Sequence, residues 1–283
     1  MKKKNVRKII VLVIMGLFVL FFCIWQNNDI VISHYSYKTS LIGDNLNGYK
    51  IAQISDLHNK RFGKNQKHLL NILDKENPDI IVITGDIVDS NHTNIDIALE
   101  FIKGAIELAP VYYVTGNHEY WLSNHDRDKL MKGMERNGVT ILDNKVIYME
   151  KENGNGYYLI GLSDKNLSDH VLPSICSSID SNKLQILLAH EPQYFDNYSK
   201  ADVDLVLSGH AHGGQIRLPF IGGLIAPDQG FLPKYTSGTY INKNTTMIVS
   251  RGLGNSIIPM RVFNRPEVVI ISLQKHKIRQ TNS

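Results

Sequence analysis

The chain has 283 residues, 43% of them hydrophobic and 20% charged, a balance that excludes a disordered or fibrous protein. Its formal charge of +4 is concentrated at one end. Lys2, Lys3, Lys4, Arg7 and Lys8 precede residue 26 with no acid among them, which leaves −1 for the rest. A near-neutral body excludes an extended nucleic-acid-binding face, and the short tail Lys275, Lys277 and Arg279 reads as solvated surface. Two cysteines, Cys23 in an apolar run and Cys176 in a distant polar stretch, exclude a disulfide framework.

Ile9 to Trp25 are 17 consecutive uncharged, almost wholly apolar residues. Crossing a ~30 Å hydrocarbon layer takes about 20 residues, with a lower limit of roughly 17. A cleaved secretory signal would need small residues after the apolar core. Gln26-Asn27-Asn28-Asp29 offers no such site, no alanine precedes Ala52, and Phe21 and Phe22 stand before Cys23 where a lipoprotein signal has small side chains. Residues 1–25 therefore read as a signal anchor in the cell membrane. The basic flank would stay cytoplasmic and the rest would lie outside. Residues 26–47 read as a linker in which Ile30-Val31-Ile32 and His34-Tyr35-Ser36-Tyr37 could form an edge strand.

From residue 48 to 283 a single soluble domain is expected. Apolar runs at Ile51–Ile54, Ile80–Thr84 and Val111–Thr115 predict strands, separated by helical periods near Lys64–Glu76 and Thr93–Leu108. A helix near Asn124–Asn137 leads to strands near Val139–Leu142, Lys145–Met149 and Tyr157–Leu162, the last two flanking the turn Glu152-Asn153-Gly154-Asn155-Gly156. Further strands are expected near Leu184–Ala189, Val203–Leu207, Met247–Ser250 and Val268–Leu273. Alternating strands and helices predict an α/β fold with parallel sheet and some hairpins.

The residues that follow the strands carry the chemistry. Ser55-Asp56-Leu57-His58, Gly85-Asp86, Gly116-Asn117-His118-Glu119, His190 and Ser208-Gly209-His210-Ala211-His212 each stand at a strand's carboxyl end, where open α/β sheets bind ligands. An Asp after a strand is more often a helix cap, and Asn117 could be a turn residue. Helix caps do not require histidine at 58, 190, 210 and 212. Four imidazoles, two carboxylates and one amide suit borderline divalent ions such as Mn, Fe, Zn or Ni. Seven ligands are too many for one catalytic ion with an open position, and enough for two if one carboxylate bridges.

This order of motifs resembles the calcineurin-like metallophosphoesterases, with all five blocks present between about residues 50 and 215. The resemblance implies a four-layer sandwich of two mixed β-sheets flanked by helices. It places Asp56, His58 and His212 on one ion, Asn117, His190 and His210 on the other, and Asp86 on both. His118 would be a non-ligand catalytic residue facing the scissile phosphate. His212-Gly213-Gly214-Gln215, Ala226-Pro227-Asp228-Gln229-Gly230 and Arg251-Gly252-Leu253-Gly254 further resemble a bacterial membrane-associated branch, which includes cell-wall phosphoesterases and lipid-linked UDP-sugar pyrophosphatases. The Arg-Arg pair that some of its members carry near the start is missing here.

The expected reaction is hydrolysis of a phosphoester or pyrophosphate bond by a hydroxide held between two divalent ions. The expected substrate is a phosphorylated small molecule or a lipid-linked phosphate. Monoester, diester and pyrophosphate chemistry all fit this ligand set. A non-catalytic metal-binding protein and a redox enzyme are the other classes; the second would want a Tyr or Cys ligand, and none stands at these positions. Arg217, Arg251 and Arg261 are candidates for an anionic group. Gly213, Gly214 and Gln215 could shape the pocket floor or form a simple turn. The apolar loop Leu218–Ile225 could touch lipid or be a core segment.

Overall fold

Every residue of the strand Ile80–Thr84 is buried, which a sheet with one face in water cannot provide. The computed structural model describes residues 2–151, 155–167, 170–255 and 260–276, and it shows what covers both faces. Ile81 and Ile83 join a core beneath helices, whereas Ile80 and Val82 join a core shared with a second sheet.

The first half of the chain runs α1 (Lys2–Asn28), β1 (Val31–Thr39), β2 (Lys50–Ile54), α2 (Lys67–Glu76), β3 (Ile80–Thr84), α3 (Ile95–Ile106), β4 (Val111–Val114), α4 (Asn117–Trp121), α5 (Asn124–Arg136) and β5 (Thr140–Ile141). The second half runs β6 (Lys145–Glu150), β7 (Gly156–Gly161), α6 (Val171–Ser177), β8 (Gln185–Leu188), α7 (Phe195–Lys200) and β9 (Leu205–Ser208). Four two-residue strands follow: β10 (Arg217–Leu218), β11 (Gly222–Gly223), β12 (Ile225–Ala226) and β13 (Gly230–Phe231). The chain closes with β14 (Gly238–Asn242), β15 (Thr245–Val249) and β16 (Glu267–Lys275).

Two six-stranded sheets result, ordered β1-β16-β2-β3-β4-β5 and β14-β15-β9-β8-β7-β6. The strands β2, β3, β4 and β5 are mutually parallel, as are β7, β8, β9 and β15. Antiparallel pairs join β16 to β2, β6 to β7 and β14 to β15. Leu69 and Leu73 of α2, Phe101 and Ile102 of α3, and Leu130 and Met134 of α5 pack on the outer face of the first sheet. Between the sheets lie Tyr49, Ile51, Val114, Tyr157, Ile186, Leu188 and Leu207. Leu172 of α6 and Phe195 and Tyr198 of α7 cover the second sheet with Leu187 and Val206. The architecture is the expected four-layer sandwich of two mixed sheets flanked by helices.

The expected strands and the helices of the first half are present, with ends displaced by up to three residues. The pattern did not reveal α6 and α7, which are only seven and six residues long. Too short to display a clear helical period, they owe their helicity to packing on the second sheet. The possible edge strand before residue 48 is a nine-residue strand, β1, paired in parallel with β16 from Val31↔Glu267 to Thr39↔Lys275. Lys275 pairs with Asp44 at 3.0 Å, while Lys277, Arg279 and the turn residues Glu152, Asn153 and Gly154 lie outside the described residues. Both cysteines are free, as expected. The 23-residue stretch Val6–Asn28 is long and apolar enough to cross a membrane, and only its last turns touch the domain.

Phe101 of α3 is fully buried in the core beneath the helices and is not among the residues after the strands that carry the chemistry. Phe101→Ala should therefore lower stability by about 3–5 kcal/mol, read as a shift in denaturant midpoint, with turnover per folded molecule retained.

Candidate metal centre

Strands β2, β3 and β4 of one sheet and β8 and β9 of the other end along a common edge, and the loops leaving them face one another. The two sheets are tied there. Gln53 donates from Nε2 to the Ser208 carbonyl at 2.9 Å and to Thr84 Oγ1 at 3.0 Å. The His210 amide donates to both carboxylate oxygens of Asp56, at 3.1 and 3.2 Å. Asp56, His58, Asp86, Asn117, His118, His190, His210 and His212 are all buried in the pocket so formed.

The backbone must turn sharply to put these side chains there. Asp56, His58, Asp86, His210 and His212 all have left-handed φ, between 45° and 62°. Asp and His adopt this region more readily than most residues, yet each instance costs of order 1–3 kcal/mol and persists only where its surroundings over-determine it. Glycine is required beside them for space. A Cβ at Gly209 would lie 1.8 Å from Ser55 Oγ, and one at Gly85 would lie 2.6 Å from His190 Nδ1.

The donor atoms fall into two overlapping groups. In the first, His58 Nε2 and His212 Nε2 are 3.1 Å apart, and Asp56 Oδ1 lies 4.0 and 3.5 Å from them. In the second, Asn117 Oδ1 lies 3.1 Å from His190 Nε2 and 2.9 Å from His210 Nδ1. Asp86 stands between them, its Oδ2 at 3.5 Å from His58 Nε2 and 3.2 Å from His190 Nε2. Its other oxygen is held by the His118 amide at 2.9 Å.

The donor set fits cations better than it fits itself. Imidazole nitrogens face each other at 3.1 Å between His58 and His212, and at 3.2 Å between His190 and His210, so lone pairs oppose unless a positive charge lies between them. Burial holds His58 down at about 3 and His212 well below the ordinary range, keeping both neutral and ready to donate a lone pair. Burial also raises Asp56. It works against ionisation of Asp86 too, but the neighbouring His190 and His58 hold that carboxyl below its usual range.

A second layer orients these groups. His190 donates from Nδ1 to the Thr84 carbonyl at 2.7 Å, which fixes the tautomer that leaves Nε2 free to bind. His210 Nε2 lies 2.9 Å from Asp228 Oδ2, so its Nδ1 is the free nitrogen. His118 accepts the Ser90 amide on Nδ1 at 3.1 Å, leaving the proton on Nε2. A ring nitrogen of His118 lies within 4.8 Å of donor atoms on His58 and Asp86, and its ring packs at a 50° tilt against Trp121 with centroids 4.8 Å apart.

All eight site residues named from sequence thus converge. Three contributors were not assigned roles there. Glu119 is fully buried and accepts amides from Gly116 at 2.7 Å, Asp86 at 2.9 Å, Ile87 at 3.0 Å and Val88 at 3.4 Å. It clamps the loops after β3 and β4 to each other. Burial pushes its carboxyl up to about 8, the charge of Asp86 adding to the rise and the Gly116 and Asp86 amides opposing it. Its position three residues after Gly116 is the sequence signal that could have found it. Asp228 and Trp121 carry no local signal for their contacts with His210 and His118.

Of the arginines, Arg251 is paired with Glu267 at 2.9 Å and Arg217 donates to the Gly213 carbonyl at 2.8 Å. Arg261 is fully buried, its guanidinium 3.4 Å from His212 Nδ1. Gly213 and Gly214 form a tight turn with φ of 64° and 77°, and a Cβ on Gly214 would lie 2.4 Å from Gly223 Cα.

Two sheets presenting an Asp- and His-rich pocket with two overlapping donor groups define a dinuclear metallohydrolase scaffold. The chain belongs to the calcineurin-like phosphoesterase family, whose pattern it matches over residues 49–214. It is 30% identical over 249 residues to the uncharacterized metallophosphoesterase YkuE of Bacillus subtilis, covering 86% of this chain and 85% of that one. It is 26% identical to the phosphodiesterase YaeI of Escherichia coli, covering 84% and 86% of the two chains. A transmembrane protein with a metallophosphoesterase domain from Danio rerio is 27% identical, over 82% of this chain and 54% of that one. The protein is a metal-dependent phosphoric ester hydrolase.

Removing the Glu119 clamp leaves four buried amides without an acceptor. Glu119→Ala should lower stability by at least about 2–3 kcal/mol and weaken metal retention, although Glu119 touches no candidate ligand atom. Thermal unfolding with and without added Mn²⁺ checks both.

Proposed function

We propose that the protein hydrolyses a phosphodiester or pyrophosphate bond in a membrane- or cell-wall-associated substrate, at a two-metal centre outside the cytoplasmic membrane. Asp56, His58 and His212 would hold one divalent ion, Asn117, His190 and His210 the other, and Asp86 both. The observation that carries this reading is Asp86 Oδ2, within 3.5 Å of a donor nitrogen from each group. Divalent ions bound there supply Lewis-acid charge for a phosphoryl oxygen and lower the pKa of water to about 7. Manganese, iron, zinc and nickel all suit this donor set.

The chain's own residues supply the rest. With Nδ1 accepting from Ser90, His118 offers an Nε2 proton beside the His58 and Asp86 donors, where it would stabilise charge on the phosphoryl group or protonate the departing alkoxide. Trp121 against its ring restricts that orientation. Asp228 holds His210, and the Thr84 carbonyl holds His190, so neither imidazole has to reorient on binding. Diester chemistry is favoured by the activity named for the Escherichia coli relative. In this reading residues 1–25 anchor the chain with its N-terminus in the cytoplasm, and residues 26–47 lead into the catalytic domain of residues 48–283 and contribute β1 to its first sheet. The anchor draws support from the span Val6–Asn28, its basic flank and the transmembrane relative.

Three measurements bear on this. His118→Ala should keep two metal ions per chain by elemental analysis while losing about 10²–10⁴ in kcat on a chromogenic phosphodiester. Loss of the ions in that variant would move His118 into the ligand set. Asp86→Ala should instead shed both ions together; an intact pair would rule out a shared carboxylate. Chelation should abolish hydrolysis, and Mn²⁺ should restore it; turnover that survives metal removal overturns the mechanism.

A further inference from the structure

The end of α1 is docked on the metal centre rather than tethered near it. Gln26 is buried and accepts the Asn264 amide on Oε1 at 3.2 Å. Asn27 Oδ1 accepts from the Arg261 amide at 3.1 Å and from Asn255 Nδ2 at 3.0 Å, and the Asn27 carbonyl accepts from Lys60 Nζ. Lys60 follows His58 by two residues, and Arg261 reaches His212. One asparagine at the helix end therefore braces the loop that carries Asp56 and His58 and, through Arg261, the imidazole of His212. Only Asp29 and Ile30 separate α1 from β1, which is hydrogen-bonded to β16 along its whole length, so the helix has no slack in which to swing.

This docking fixes a depth. Phe263 packs edge-on against Phe22 with centroids 5.6 Å apart, and Met260 Sδ lies 3.8 Å from Cys23 Sγ. Phe22 stands six residues before the end of the helix, about 9 Å along its axis, inside the apolar run and one turn below Trp25. Trp25 is the type of side chain that marks a membrane–water boundary, and the Arg265 guanidinium lies 5.0 Å over its ring while pairing with Asp29. Residues of the domain that touch Phe22 and Cys23 lie on the hydrocarbon side of that boundary. Met260 and Phe263 are themselves exposed on the domain surface.

The same surface continues into the hairpin that follows the last candidate ligand. Ile216 bridges to Val262, the Arg217 amide donates to the Val262 carbonyl at 3.0 Å, and β10 and β11 then project a tip bearing Leu218, Phe220 and Ile221. Phe220 is 109% exposed with a left-handed φ of 67°. A phenylalanine held in a strained conformation with its ring wholly in water is unfavourable twice over, and contact with lipid turns the exposure into a gain. The helix end supplies the continuity that identifies the occupant of this apolar face as lipid.

We infer that Met260, Phe263 and the Leu218–Ile221 hairpin tip form a second membrane contact that seats the metal centre at the bilayer surface, so that phosphoesters borne by membrane lipids reach it laterally. The inference rests on reading α1 as a membrane span, and its test separates the two. The full chain, carrying Cys23→Ala and Cys176→Ser, is spin-labelled through one added cysteine at a time: Leu17→Cys in the span, Phe220→Cys and Phe263→Cys on the rim, and Asp128→Cys on α5. Reconstituted in phosphatidylcholine–phosphatidylglycerol vesicles, each label is scored by its collision rates with oxygen, which partitions into lipid, and with a nickel chelate, which stays in water. Labels at 220 and 263 should show an oxygen-to-nickel ratio several-fold above that at 128 and close to that at 17. A high ratio at 17 with ratios at 220 and 263 equal to that at 128 overturns the rim and leaves the span standing. A low ratio at 17 overturns both.

Discussion

A carboxylate buried among imidazoles is unstable unless its neighbours compensate for lost hydration, and Asp86 is buried in that way between two groups of donors. Much of the surrounding structure follows from holding it there. Its Oδ1 is occupied by the His118 amide, which leaves Oδ2 to face both groups. Its own amide is bound by Glu119, which also holds the start of α4, so the loops after β3 and β4 move as one body. Gly116 lies so close that a Cβ there would come within 2.3 Å of Asp86 Oδ1. The shared carboxylate and the loop that supplies the neighbouring Asn117 and His118 are thus fixed by one set of contacts.

The same region stores backbone strain that the rest of the fold must sustain. Five candidate ligands occupy left-handed φ, at of order 1–3 kcal/mol each. The cores on both outer faces and between the sheets are continuous and built largely of Ile, Leu and Val, and they make that sustainable. Strands buried on both faces also explain why the ligands sit at strand ends. Interior positions are committed to packing, and the first residues beyond the ladder are the first free to carry chemistry.

The fold class, and the convergence of the eight candidate site residues, were legible in the sequence for related reasons. Doubly buried strands appear as short Ile- and Val-rich runs, and Asp, Asn or His directly after such a run is unusual enough to count. What escaped depends on tertiary neighbours. Glu119 looks like an ordinary helix-start acid until four amides from two loops meet on it. Asp228 is 18 residues from His210 in a turn-forming segment, and nothing local pairs them. Helices α6 and α7 are too short for a period to show. Arg261, a lone charge between Met260 and Val262, gave no sequence sign of being fully buried. The nine-residue pairing of β1 with β16 joins the two ends of the chain, a contact that periodicity cannot reveal.

That pairing has a consequence for how reaction and substrate are divided along the chain. The reaction is set between Asp56 and His212, by groups that monoesters, diesters and pyrophosphates would all satisfy. Beyond His212 lie the hairpins β10–β11 and β12–β13, one bearing an apolar tip and the other bringing Asp228 to His210, and the segment through Arg261 and Phe263 that meets the end of α1; in the proposed reading these would discriminate between substrates. Because β1 and β16 lie side by side, the helix that enters the fold and the loop that precedes its last strand are brought to the same edge as the histidines. A flexible tether would place the centre at a range of heights above a membrane and leave substrate choice to diffusion. With α1 as the proposed span, a helix end hydrogen-bonded to residues beside His58 and His212 would allow one height, and at one height a fixed phosphate position could be matched to a fixed pocket.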